Sequence, residues 1–192
     1  KIMLIVSQNI TNYNMPLPKD AIFRVNLAWV NGIDELKIIL NKHDSHTIFL
    51  DLPINRTKPP DNKYTLNDLV SVLQEYNNIK YLAISNVETG SDLDEYVAVI
   101  PSRITIIPKI ESHKGIENIE TIIKKLKYKE RVIMLDHDDL YSNLLKSKLS
   151  PSKFTFFINK LTEFCNSNDI ILLRTIGVIF SDEEKRITEY VN

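Results

Sequence analysis

The sequence predicts an α/β fold built on a parallel sheet. Short apolar runs alternate along the chain with stretches of helical periodicity. The runs are bounded by polar or turn residues, and they are apolar at nearly every position, as in strands covered on both faces. Strands are expected at Met3 to Ser7, Ile22 to Asn26, Thr47 to Leu52, Tyr81 to Ser85, Ile104 to Ile110, Val132 to Asp136 and Ile170 to Leu173, with an eighth at Gly177 to Ser181. Between them Gly32 to Asn41, Leu66 to Tyr76, Leu93 to Val99, Gly115 to Leu126 and Lys153 to Asn166 carry apolar residues at three and four spacing with charges opposite, the pattern of amphipathic helices. Thr65, with Asp68 three residues on, is a helix start in which each side chain caps the other's amide.

Eight such units would close a TIM-type (β/α)8 barrel, for which about 250 residues is typical and about 200 the low end. At 192 residues the chain is short for one, so the barrel is compact or incomplete. Between Leu173 and Val178 there is no room for a helix. An open doubly wound sheet of the same strands is the alternative, and both architectures place chemistry at the carboxyl ends of the strands. A single domain over residues 1–192 fits this length. The one loop-like stretch runs from Asn55 to Lys63, around the Pro59 and Pro60 pair.

Charge and composition narrow the partners. Lys and Arg number 24 against 25 Asp and Glu, a formal charge of −1, so no basic excess exists to bind nucleic acid. A small-molecule site or a protein partner is expected, with a homo-oligomer left open. The lone cysteine, Cys165, forms no internal disulfide and lies among apolar helix residues, as a core position. No apolar run approaches the roughly 18 to 20 residues that span a bilayer. A soluble, cytoplasmic protein is the expectation.

Two segments carry residues suited to catalysis. IIPKIESHKGIENI ends a strand and begins a helix, so Lys109 and Glu111 lie two apart and point the same way. Buried there, they need each other, a metal or a ligand. The next strand, RVIMLDHDDL, ends in Asp136, Asp138 and Asp139 around His137. Carboxylates from adjacent strand ends, with positions left for water and substrate, suit Mg²⁺ or Mn²⁺. The same residues also read as a solvated acidic turn capping a following helix, with Lys109 and Glu111 a surface pair. His137, His43, His46 and His113 are expected at the surface.

PKIESHKGI followed by VIMLDHDDL resembles the core of the pyruvate kinase barrel, where a lysine and a glutamate close one strand and an aspartate followed by leucine closes the next. KIMLIVSQNI, FRVNLAWV, FLDLPINRT, YTLNDL and FCNSNDIILLRT resemble further segments of that family in the same order. The resemblance extends to the phosphoenolpyruvate/pyruvate-binding superfamily, which includes citrate lyase beta subunits and class II 2-keto acid aldolases. It implies that Glu111 and Asp139 hold Mg²⁺ or Mn²⁺ and that Lys109 neutralises charge on an enolate or a transferred phosphoryl group. It also implies that Arg24 and Arg56 bind substrate phosphate or carboxylate and that Thr175 orients a proton-relaying water. Asn26 and Asp51 would take part in a monovalent K⁺ site, weakly, because Ala28 replaces a serine that helps hold that ion.

The departures bear on the reaction. The Pro-rich loop occupies the place of the family's inserted lid, and no C-terminal regulatory domain is expected. Asp138 stands where the family has glycine and His137 where it has arginine. Without a lid to exclude water, phosphoryl transfer is in question. Three functions are therefore expected: a pyruvate-kinase-like enzyme acting on phosphoenolpyruvate or pyruvate through a metal-stabilised enolate; a metal-dependent 2-oxo acid lyase or decarboxylase; or a non-catalytic barrel scaffold.

Overall fold

Seven strands alternate with seven α-helices in a computed structural model that describes residues 4–8, 17–56, 59–60 and 62–174. Two compact units divide the chain, the first holding residues 1–85 and 95–107, the second 86–94 and 108–192.

In the first unit β1 (Ile5–Ser7), β2 (Ile22–Asn26), β3 (Thr47–Leu52) and β4 (Ile79–Ile84) pair in parallel, each with the next in the chain. The register sets Arg24 beside Phe49 and Asn26 beside Asp51. Phe23, Phe49 and Leu50 are almost wholly buried, each contributing about 1.5–3 kcal/mol through loss of apolar surface. Two helices, α1 (Ile33–Lys42) and α2 (Leu66–Glu75), turn Leu36, Leu40, Leu69, Val72 and Leu73 inward. The Thr65 cap of α2 forms as expected, its hydroxyl accepting from the Asp68 amide at 3.2 Å while the Asp68 carboxylate accepts from the Thr65 amide at 2.7 Å. Beyond α3 (Asp94–Val99), the Arg103 guanidinium donates to the Ile79 carbonyl at 3.1 Å and to that of Leu73.

His43 is a correction to the expected surface position. It is 7% exposed and its ring stacks on Phe23 at 3.8 Å between centroids. Its Nδ1 has no hydrogen-bond partner among the described residues. Burial, with lesser effects of His46 and Lys42, holds its pKa below the ordinary histidine value. The folded state therefore keeps His43 neutral while the unfolded chain takes up a proton near pH 6.5. This part of the stability is present above about pH 6.5 and is lost as the pH falls toward the folded pKa. His43→Asn is expected to flatten the fall of the melting temperature between about pH 7 and 5, as followed by circular dichroism.

The second unit contains β6 (Arg131–Leu135), β7 (Ile170–Arg174) and the end of β5 (Thr105–Ile110). Lys109 and Ile110 pair with Met134 and Leu135, and β6 pairs with β7 along its whole length, all in parallel. The helix expected from Gly115 to Leu126 is broken into α4 (His113–Glu117) and α5 (Ile119–Lys125), because Asn118 leaves helical geometry at φ −96° and ψ 12°. A helix implied by the capping-turn reading but not picked out by periodicity, α6 (His137–Lys146), precedes α7 (Lys153–Ser167). Cys165 is a core residue of α7, as expected, and burial pushes its thiol up to about 11.

Gly90, in the 3₁₀ turn Gly90–Leu93, meets α5 so closely that an added Cβ would lie 2.4 Å from the Thr121 carbonyl oxygen. Gly90→Ala is expected to lower stability by about 1–3 kcal/mol, read as a shift in the urea midpoint. Among the described residues no helix is long and apolar enough to cross a membrane.

Candidate functional site

The second unit gathers four ionisable residues at its strand ends. Lys109 lies in β5 and Glu111 follows that strand, so alternation turns both side chains to one face. Their Nζ and Oε1 are 2.9 Å apart, with side-chain exposures of 7% and 3%. They form a buried pair, which overturns the surface-pair reading. The second Glu111 oxygen, Oε2, accepts from the backbone amide of Asn86 at 2.6 Å.

The acidic turn after β6 supplies the other carboxylates. Asp136 caps α6, its Oδ1 accepting from the Asp139 amide at 3.2 Å. The helix cap foreseen for this turn is therefore present, and it coexists with a cluster. Oxygen atoms of Glu111, Asp136 and Asp139 lie within 4.8 Å of one another. Asp138 is exposed. The positive end of α6 favours negative charge at Asp136 and Asp139. At Glu111 burial pushes the carboxyl above the ordinary range, Lys109 draws it down, and the nearby Asp136 charge pushes it up again. The three carboxylates offer oxygen ligands from two neighbouring strand ends. A hard, oxygen-preferring divalent cation fits that donor set.

His137 is a second correction. Expected in solvent, it is 2% exposed, and its Nε2 accepts from Arg174 Nε at 3.2 Å and Nη2 at 3.0 Å. Arginine only donates, so Nε2 presents its lone pair and the ring proton sits on Nδ1. Burial first, and then Arg174, lower its pKa. Leu135 and Arg174 are register partners, which brings the end of β7 to the start of α6.

The first unit holds the remaining expected residues. Arg24 Nε donates to Asp51 Oδ2 at 3.1 Å, and Nη2 reaches the same oxygen. Asp51 is 1% exposed. Asn26 Oδ1 accepts from the Ala28 amide at 3.0 Å, capping the 3₁₀ turn Leu27–Trp29. Arg56 Nε donates to the Pro60 carbonyl at 2.6 Å. Trp29, which the resemblance leaves without a role, is 54% exposed. Thr175 and the eighth strand expected at Gly177 to Ser181 lie outside the described residues.

Sequence reasoning thus named Lys109, Glu111 and Asp139. It mentioned Asp136 without making it a ligand, and it missed Asn86 and Arg174. For Asp136 the signal was the strand-ending run of carboxylates. For Asn86 a single sequence offers none.

No protein-family model matches the chain, and no curated protein matches it. Among solved structures, RipC from Yersinia pestis superposes over 98% of this chain and 84% of its own, with a TM-score of 0.62 and 14% identity. At that identity the likeness is one of fold. A pyruvate kinase from Cryptosporidium parvum matches over 58% of this chain, which spans 22% of the kinase, with a TM-score of 0.48 and 24% identity.

Proposed function

We propose that the chain is a divalent-metal-dependent enzyme of the phosphoenolpyruvate/pyruvate-binding superfamily, on an incomplete TIM-type barrel, that cleaves or decarboxylates a small 2-oxo acid. The observation that carries this reading is the buried Lys109–Glu111 pair with Asp136 and Asp139 oxygens converging on it. Glu111 and Asp139, with Asp136, would hold Mg²⁺ or Mn²⁺. When bound, the ion supplies a Lewis acid that chelates a 2-oxo acid and stabilises negative charge developing on its oxygen.

The residues of the chain do the rest. Lys109 holds a positive charge in a nearly dry site, where it favours a substrate anion far more than it would in water. Burial excludes water from the Glu111 carboxylate and keeps it in one orientation. Thr175 keeps its assignment from the resemblance, orienting a water that relays a proton.

Cleavage or decarboxylation is placed before phosphoryl transfer because the short Pro-rich loop stands where a lid would exclude water from a nucleotide. Arg24, on Asp51, and Arg56, on the Pro60 carbonyl, are both engaged within the protein, which weighs equally against a grip on substrate phosphate or carboxylate. The expected K⁺ site fits poorly for a related reason. Asp51 already carries the Arg24 guanidinium, Asn26 Oδ1 caps a turn, and Ala28 brings no side-chain oxygen. Arg24 supplies the positive charge there.

Phosphoryl transfer is the second reading, supported by the position of Lys109. Assays of oxaloacetate decarboxylation and of ATP formation from phosphoenolpyruvate and ADP, each with Mn²⁺, separate the two. Pyruvate formation by the wild type, abolished in Glu111→Ala, is the expected result. ATP formation instead would replace this reading by the second. Silence in both assays would leave the non-catalytic scaffold.

A further inference from the structure

The chain leaves β4 through a backbone conformation that side chains rarely adopt. Asn86 has φ +55°, in the left-handed region. That turn aims two successive amides at the end of β5: Asn86 N–H donates to Glu111 Oε2 at 2.6 Å, and Val87 N–H to the Lys109 carbonyl at 3.3 Å. The first of these amides reaches the Glu111 carboxylate, and the second ties the turn to the backbone of β5. Val87 is 1% exposed, so the segment is packed in place. Its carbonyl oxygen lies 2.7 Å from where a Cβ on Gly115 would sit, so the seat exists only because residue 115 has no side chain. Gly115 is in turn held by Ser112, whose hydroxyl accepts from its amide at 3.2 Å.

We propose that Asn86 is a positioning residue that acts through its backbone, orienting the Glu111 carboxylate toward a divalent cation, and that Gly115 seats it. The inference rests on the metal reading above. With Oε1 on Lys109 and Oε2 on the Asn86 amide, the carboxylate plane of Glu111 is fixed at both oxygens before any ion arrives. Partners that orient a ligand in this way typically contribute about 10–100-fold in metal affinity.

The test is Mn²⁺ affinity in the presence of oxalate, measured by electron paramagnetic resonance of free Mn²⁺, with a thermal melt of each variant. Asn86→Gly removes the side chain but keeps the positive φ and the amide, and is expected to bind within about twofold of wild type. Asn86→Val resists that φ, and Gly115→Ala displaces Val87. Each is expected to weaken binding by about 10–100-fold while still melting cooperatively. Should Asn86→Val fail to fold, Asn86→Ala replaces it, with weaker binding than Asn86→Gly expected. Loss of binding in Asn86→Gly would assign the effect to the side chain and overturn the inference. So would wild-type affinity in Asn86→Val and Gly115→Ala while Glu111→Ala binds nothing. Absence of Mn²⁺ binding by the wild type would defeat the metal reading, and this inference with it.

Discussion

Lys109→Met is expected to destabilise the folded chain by about 3–5 kcal/mol, because it removes the ammonium from a carboxylate that is almost wholly out of water. The double variant Lys109→Met/Glu111→Gln is expected to recover most of that loss, since no buried charge then lacks its counter-charge. Urea denaturation of the single and double variants measures both. The pH dependence has a definite sign. The folded-state pKa of Glu111 is raised, so this group's contribution to stability is greatest below its unfolded value, about 4.3, and is lost as pH rises through the folded value. In Lys109→Met that value rises further, and the destabilisation should shrink from pH 8 to pH 5. An equal loss at both values would show that the pair is not as buried as its 2.9 Å separation and low exposure indicate.

Arg24→Ala is expected to cost about 3 kcal/mol or more, the low end for breaking a buried pair, since the Arg24 side chain is 18% exposed and that of Asp51 2%. Arg24→Lys should recover only part, because an ammonium cannot reproduce two donors on one carboxylate oxygen. Replacing tetramethylammonium by K⁺ in the buffer distinguishes the two ways of compensating Asp51. Unchanged stability of the wild type in K⁺ is expected. Marked stabilisation of the wild type by K⁺ would restore the monovalent-cation role for Asn26 and Asp51.

What could be read from the sequence follows from which forces are local. Strands were visible because a buried parallel strand is apolar at nearly every position, and their limits moved by only a residue or two: Tyr81 to Ser85 became Ile79–Ile84, and Val132 to Asp136 became Arg131–Leu135. The Thr65 cap was legible because its partner is three residues away. Lys109 and Glu111 could be paired from a two-residue spacing, but whether the pair was buried depended on packing that the spacing does not encode.

Helix α6 was implied by the capping-turn reading but did not stand out by periodicity, because it buries only His137, Leu140 and Leu144, and charged or polar residues fill most of the rest. The buried His137 ring meets Arg174, 37 residues away, and Phe154, neither of which is a local neighbour. Arg24 and Asp51 were each assigned to a ligand because a single sequence does not show that two charges 27 residues apart satisfy one another. The left-handed turn at Asn86 has a local signature only in the asparagine itself, and that its amide meets a carboxylate 25 residues further on has none.

The central claim is that Glu111, Asp136 and Asp139 hold one divalent cation. Mn²⁺ titration of the wild type and of Glu111→Ala in the presence of oxalate, an enolate mimic, tests it most directly. Expected is one saturable Mn²⁺ site per chain in the wild type and its loss in Glu111→Ala, with both proteins folded by circular dichroism. Equal, weak and unsaturable binding by the two proteins would contradict it.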